Sequence, residues 1–282
     1  MNMTIKSITA ATLISALLGF SGCAVAQEDT WVYDADNNHL GRIFYYERSN
    51  TDGSLDERVA VYRSGVETIE VYKENGFCAN AALVTAELDH ETFSTPVVTG
   101  GALLPDAEHV PFAFLEWDRE NAQLDILVQF PDMELREEAP IPRIPWHLFD
   151  FDLASLTVMT PHLADRETGF DFGMALVWAD QSAPDPLTWM GDVVATYAET
   201  TEHLGTETQR YELTGSAFEG VRSTSPNGSL WLDARDGHIV DAVFPAPNHP
   251  GYTDFRLQLH RISDGGAEEW DALLRAHYAD CE

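Results

Sequence analysis

His147, Asp150 and Asp152 lie close enough in sequence to suggest acid–base or metal chemistry. On a helix His147 and Asp150 share a face and Asp152 does not, so helix capping is the expected role of the aspartates. Asp34-Ala35-Asp36-Asn37-Asn38 has the opening of a calcium loop. It carries His39 where such a loop needs glycine and Tyr45 where it needs a bidentate glutamate, so a polar turn is expected instead. His249, in Asn248-His249-Pro250-Gly251-Tyr252, sits in a loop, where functional groups often sit, but a solvated side chain is its ordinary fate. Gly215-Ser216 and Gly228-Ser229 lack the second glycine of a serine nucleophile elbow. No phosphate loop or dinucleotide fingerprint is present, and no cysteine has a close partner to build a zinc site. No cofactor and no catalytic residue is therefore assigned. A hydrolase built on two carboxylates is the one enzyme class left open, because such a pair leaves no sequence signature.

The start of the chain reads as an export signal, residues 1–26. Lys6 supplies the positive charge, Ala10 to Phe20 the apolar run, and Ala24-Val25-Ala26 a small-x-small cleavage site. Phe20-Ser21-Gly22-Cys23 offers a competing lipobox, in which Cys23 is lipidated and becomes the mature N-terminus. Both readings place the protein outside the cytoplasm, in the periplasm or beyond. Both leave Cys78 and Cys281, an even pair in an oxidising compartment, and a disulfide between them is expected. The formal net charge of the whole chain is −31, and every acidic residue lies after the signal, so the large negative charge belongs to that part. Such a balance disfavours nucleic acid and anionic membrane surfaces as partners.

The elements that must position any site are mostly strands. Arg42–Arg48, Arg58–Tyr62 and Thr68–Tyr72 alternate with period two around polar turns. Arg42, Arg48, Arg58, Arg63 and Lys73 recur along this ribbon, where cross-strand pairing with Glu47, Glu57, Glu67 and Glu70 accounts for them as well as a ligand would. Cys78–Glu87 is small and apolar and fits a strand or a short helix. Phe112–Phe130 reads as a hairpin. The prolines of 139–145 mark a connector between two halves of one domain spanning 27–282. Phe149, Leu153, Leu156 and Met159 are spaced for a short helix ended by Pro161. In Phe170–Trp178, large side chains alternate with Asp171, Gly173, Ala175 and Val177, a small face that invites close approach. A hairpin, Val193–Ala198 with Gln209–Leu213, and a three-strand meander from Asn227 to Ile262 follow, and Trp270, Leu273, Leu274 and Cys281 mark a terminal amphipathic helix with Asp264 as a candidate cap.

Together these features predict an all-β, mostly antiparallel fold: a curved sheet or open barrel with one short central helix and a C-terminal amphipathic one. The order from Trp146 to Leu259, closing on Gly228-Ser229-Leu230-Trp231-Leu232 and Gly237-His238-Ile239-Val240, resembles the later part of bacterial envelope proteins built as open β-barrels or half-barrels. Some proteins of that shape carry lipids or lipoproteins, and the resemblance implies architecture, with no catalytic residue.

A curved sheet has more large side chains than one core face needs. Phe170, Phe172, Trp178, Trp231, Phe244 and Tyr252 are the candidates for contact with an apolar or amphiphilic molecule such as a lipid. A filled barrel interior explains the same residues without a ligand. A partner protein of the cell envelope, docking on a sheet edge or on the His249 loop, is the other expectation.

Overall fold

The computed structural model describes residues 30–130, 133–178, 186–220 and 222–281; the signal segment and Cys23 lie outside them. Alternation carries through into strands β1 (Ile43–Ser49), β2 (Glu57–Gly65), β3 (Thr68–Glu74), β4 (Ala81–Asp89), β5 (Ser94–Leu104), β6 (Glu108–Asp118), β7 (Gln123–Phe130) and β8 (Met133–Pro140). These form an unbroken meander. After the proline connector come β9 (Trp146–Leu148), helix α1 (Ala154–Met159) and a second meander: β10 (Phe170–Val177), β11 (Leu187–His203), β12 (Thr206–Thr214), β13 (Gly228–Asp233), β14 (Ile239–Phe244) and β15 (Phe255–Ser263). Helix α2 (Gly266–Ala276) follows β15.

The two meanders join where β1 pairs with β15, giving one fifteen-stranded sheet with β8 at one edge and β9 at the other. Neighbours are antiparallel apart from β9 and β10. Among the described residues the sheet is not closed. It curls around the segment from Trp146 to Leu163, whose side chains reach both wings. Trp146 meets Trp117 of β6 edge-on at 5.9 Å, and its backbone N–H donates to Ser94 Oγ at 2.9 Å. Phe149 stacks on Phe244 of β14 at 5.3 Å. Thr157 Oγ1 lies 2.6 Å from the Tyr46 hydroxyl of β1 and accepts the N–H of Ile239 at 3.0 Å.

Every residue of α1 is buried, so it is a helix enclosed by the sheet rather than one with a wet face. Each large side chain so enclosed contributes roughly 1.5–3 kcal/mol. Across β1 to β3 the inward row reads Phe44-Tyr46, Val59-Val61 and Ile69-Val71, all in the main core. The outward row, Ile43, Ala60, Tyr62 and Tyr72, is covered by Trp270 and Leu274 of α2. Cys78 and Cys281 stand at disulfide distance, with Cα atoms 5.5 Å apart, and fasten the end of α2 beside the start of β4.

Several local expectations change. The ambiguous segment after Cys78 is a strand. β5 was not foreseen: Pro96 and the Gly100-Gly101 pair blur its alternation. β8 runs through acidic residues into Pro140, which an edge strand tolerates because its outer N–H positions have no partner to lose. Asp264 does not cap α2. Gly265 stands at that position, and the Asp264 carboxylate binds Arg42 Nε at 3.1 Å. Nor does Asp152 cap α1. It adopts left-handed backbone (φ 50°) and its side chain turns elsewhere, as described next.

A charged end and an apolar cavity inside the sheet

The inward rows of the first three strands do not stay apolar. Continuing at the same parity, β1 presents Arg48 after Phe44 and Tyr46, β2 presents Glu57 before Val59, and β3 presents Lys73 after Val71. Strand geometry sends these charges to the interior. Arg48 is fully buried. A buried charge needs a partner, and Asp152, also fully buried, is supplied by the central segment. Lys73 Nζ lies 2.5 Å from Asp152 Oδ2 and donates to the Asp150 carbonyl, also at 2.5 Å. Asn248 Nδ2 donates to Asp152 Oδ1 at 2.6 Å and to the Phe149 carbonyl at 3.0 Å. The Arg48 guanidinium donates to Asn248 Oδ1, and its central carbon sits over the Tyr252 ring, 3.2 Å from the ring centre. It reaches Asp152 and Glu57 at 3.8 Å, an ion-pair rather than hydrogen-bond distance.

Burial pushes the Asp152 carboxyl upward, but Lys73, His249 and Arg48 outweigh it and hold the group below the usual range. Glu57 is shifted up, by burial first and by Asp152 next. Asp150, whose Oδ1 accepts the Val177 N–H at 3.1 Å, is pushed up to about 6 by burial. His249 Nε2 stands 4.0 Å from Asp152 Oδ1, and burial drives its imidazole down to about 3, with Lys73 adding to the effect. The loop histidine is half-buried, its side chain 26% exposed, and it lies in the lining of the cavity described below. Glu57, Asp152 and His249 present ligand atoms within 4.8 Å of one another. The two cations already on Asp152 make that a poor cation site.

This charged end opens onto a cavity of about 790 Å³. Its wall is the inner face of β4 to β8: Val84, Val98, Leu115, Ile126 and Val128, with Gly100 and Ala113 leaving room between them. Leu148 and Phe151 of the central segment and Trp178 complete the apolar lining, and Lys73, Glu57, Asp150, His249 and Tyr252 form the polar part. Phe112 and Phe130, also in the lining, stack on one another at 4.9 Å, and Phe130 is 44% exposed.

The six residues singled out for apolar contact divide three ways. Trp178 and Tyr252 line the cavity. Phe170, Phe172 and Phe244 do not. They point into the part of the interior that α1 and its flanking turns fill, as Phe170 against Tyr211 at 5.3 Å and Phe244 against Phe255 at 5.9 Å illustrate. Trp231 faces away from that core and stacks on His203, ring centres 4.4 Å apart. The small face of β10 is met by protein: the Trp189 ring of β11 lies over Gly173. His147 is fully buried, its Nδ1 2.9 Å from Ser155 Oγ, remote in role from Asp150 and Asp152. Asp34 to Asn38 forms a short 3-10 turn in which Asp34 accepts the Asp36 N–H. The site residues that sequence reading missed as a set are Arg48, Glu57 and Lys73. Their signal was parity: each falls in the row of buried apolar residues.

No family model matches the chain, and no curated protein matches it. Among solved structures it is similar to the crystal structure of a hypothetical lipoprotein, YmcC, from Escherichia coli K12. The identity is 10%, 79% of this chain and 88% of that chain are covered, and the TM-score is 0.28, a likeness that carries no argument about function.

Proposed function

We propose that the protein is exported and binds an apolar or amphiphilic molecule, non-covalently, in the cavity between β4–β8 and the central segment. The observation that carries the reading is the cavity itself. It is about 790 Å³ in volume, walled by valine, leucine, isoleucine and phenylalanine, and polar at one end. Small-molecule sites have this form: roughly 300–1,000 Å³, mostly apolar, with a few fixed polar groups. The export part of the reading is supported by the signal-like leader and by the cysteine pair at disulfide distance.

The test is native mass spectrometry of protein purified from its own host, followed by titration with an apolar fluorescent probe. A co-purifying lipid-sized mass, or probe uptake that Ala113→Trp abolishes by filling the cavity, supports the reading. A clean apo mass, with no uptake of probe or added lipid, removes it. Capture of a stoichiometric partner protein by the apo form would favour an interaction module instead.

A further inference from the structure

The charges around the cavity do not balance. Among the described residues, Glu57, Asp150, Glu134 and Glu137 line it, and Asp152 stands directly behind Lys73. The cations are fewer and already engaged. Lys73 is held by Asp152 and the Asp150 carbonyl, Arg48 by Asn248, Asp152 and Glu57, and Arg136 by Glu134 at 2.8 Å. Arg222, over the Trp178 ring at 4.3 Å, does not reverse the excess. An anionic head group entering here would meet carboxylates on several sides. Lys73 could receive it only by giving up Asp152, which would then be buried beside a second anion. The net charge of −31 repels the same ligands at long range. A positive head group, by contrast, would sit among carboxylates with too few cations of their own.

We infer that the ligand of this cavity is a single-chain amphiphile with a cationic head group, and that anionic amphiphiles such as fatty-acid carboxylates are excluded. This rests on the cavity being a ligand site, the reading given above. Its geometry is an apolar wall for the chain and, next to it, Asp150, Glu57 and Glu137 for the head.

The experiment uses three probes of equal chain length, each below its micelle concentration: dodecyltrimethylammonium, dodecyl maltoside and dodecanoate. They are titrated calorimetrically into the mature protein at pH 7.5 and low salt. The cationic probe should bind at least about 10-fold more tightly than dodecanoate, a difference of about 1.4 kcal/mol. In Glu137→Gln combined with Asp150→Asn, the preference for the cationic probe over dodecanoate should fall several-fold, and an undiminished preference overturns the inference. Ala113→Trp should abolish binding of the cationic probe. Dodecanoate binding as tightly as the cation overturns the inference while leaving the cavity a ligand site. Cation binding that survives Ala113→Trp is surface adsorption and overturns it too. Failure of all three probes to bind removes the cavity as a ligand site and the inference with it.

Discussion

Lys73 on the third strand and Asp152 in the central segment form an ion pair at 2.5 Å inside the sheet, with Asp152 wholly buried. The pair ties the segment that fills the sheet to the strands that enclose it. It also sets the boundary between packed core and cavity.

Removing one member of such a pair leaves the other charged and buried. Lys73→Met is therefore expected to destabilise the fold by about 3–5 kcal/mol, and Lys73→Met with Asp152→Asn by clearly less. Urea denaturation of the two single variants and the double variant measures the coupling. Strict additivity would show that the pair is not a structural unit.

Acid should weaken the protein while most of its carboxylates are still ionised. His147, His162 and His238 are buried, and burial is the first cause that lowers them, to about 3, 4 and 4. The unfolded chain binds protons at these sites near the usual histidine value of about 6.5, and the folded chain does not. Stability is thus complete above that value and declines as pH falls from about 6.5 toward 4. Asp150, raised to about 6, works in the opposite sense and offsets a part. The net loss between pH 7 and pH 5 is on the order of 4 kcal/mol. Denaturation midpoints measured at both values check it, and an unchanged midpoint would contradict it.

Gly173 is needed for its lack of a side chain. A Cβ there would overlap the Trp189 ring. Gly173→Ala should cost about 1–3 kcal/mol, and Trp189→Leu in the same chain should recover most of it. Thermal unfolding of the three variants decides this, since a loss that Trp189→Leu does not relieve would place the strain in the backbone.

The strand architecture could be read from alternation because period two survives any tertiary context that buries one face. Where alternation fails, as at Gly100-Gly101 in β5 or through the acidic run of β8, the strand escapes notice although the sheet needs it. The site was half legible. The sequence groups His147, Asp150 and Asp152 and points to capping for the aspartates, whereas His147 lies on Ser155 and the partners of Asp152, Lys73, Arg48 and Asn248, come from distant strands and loops that no local pattern joins. Arg48 did face Glu57 across the ribbon, as cross-strand reasoning expected, yet at 3.8 Å Glu57 is one of several partners. The aromatic candidates divided because parity shows which residues face inward. Whether that interior is packed or empty depends on a helix elsewhere in the chain.

The pairing of β1 with β15 sets an order on assembly. The first strand acquires its second neighbour only when the last has been made. Until then the leading meander, with its local turns, can form around an exposed β1 edge, and that edge is a template for unwanted pairing. A chain translocated from its N-terminus would hold this edge open until β15 emerges. Cys78 likewise waits for Cys281, which follows β15, so this pair can close only after the strand that completes the sheet has been made.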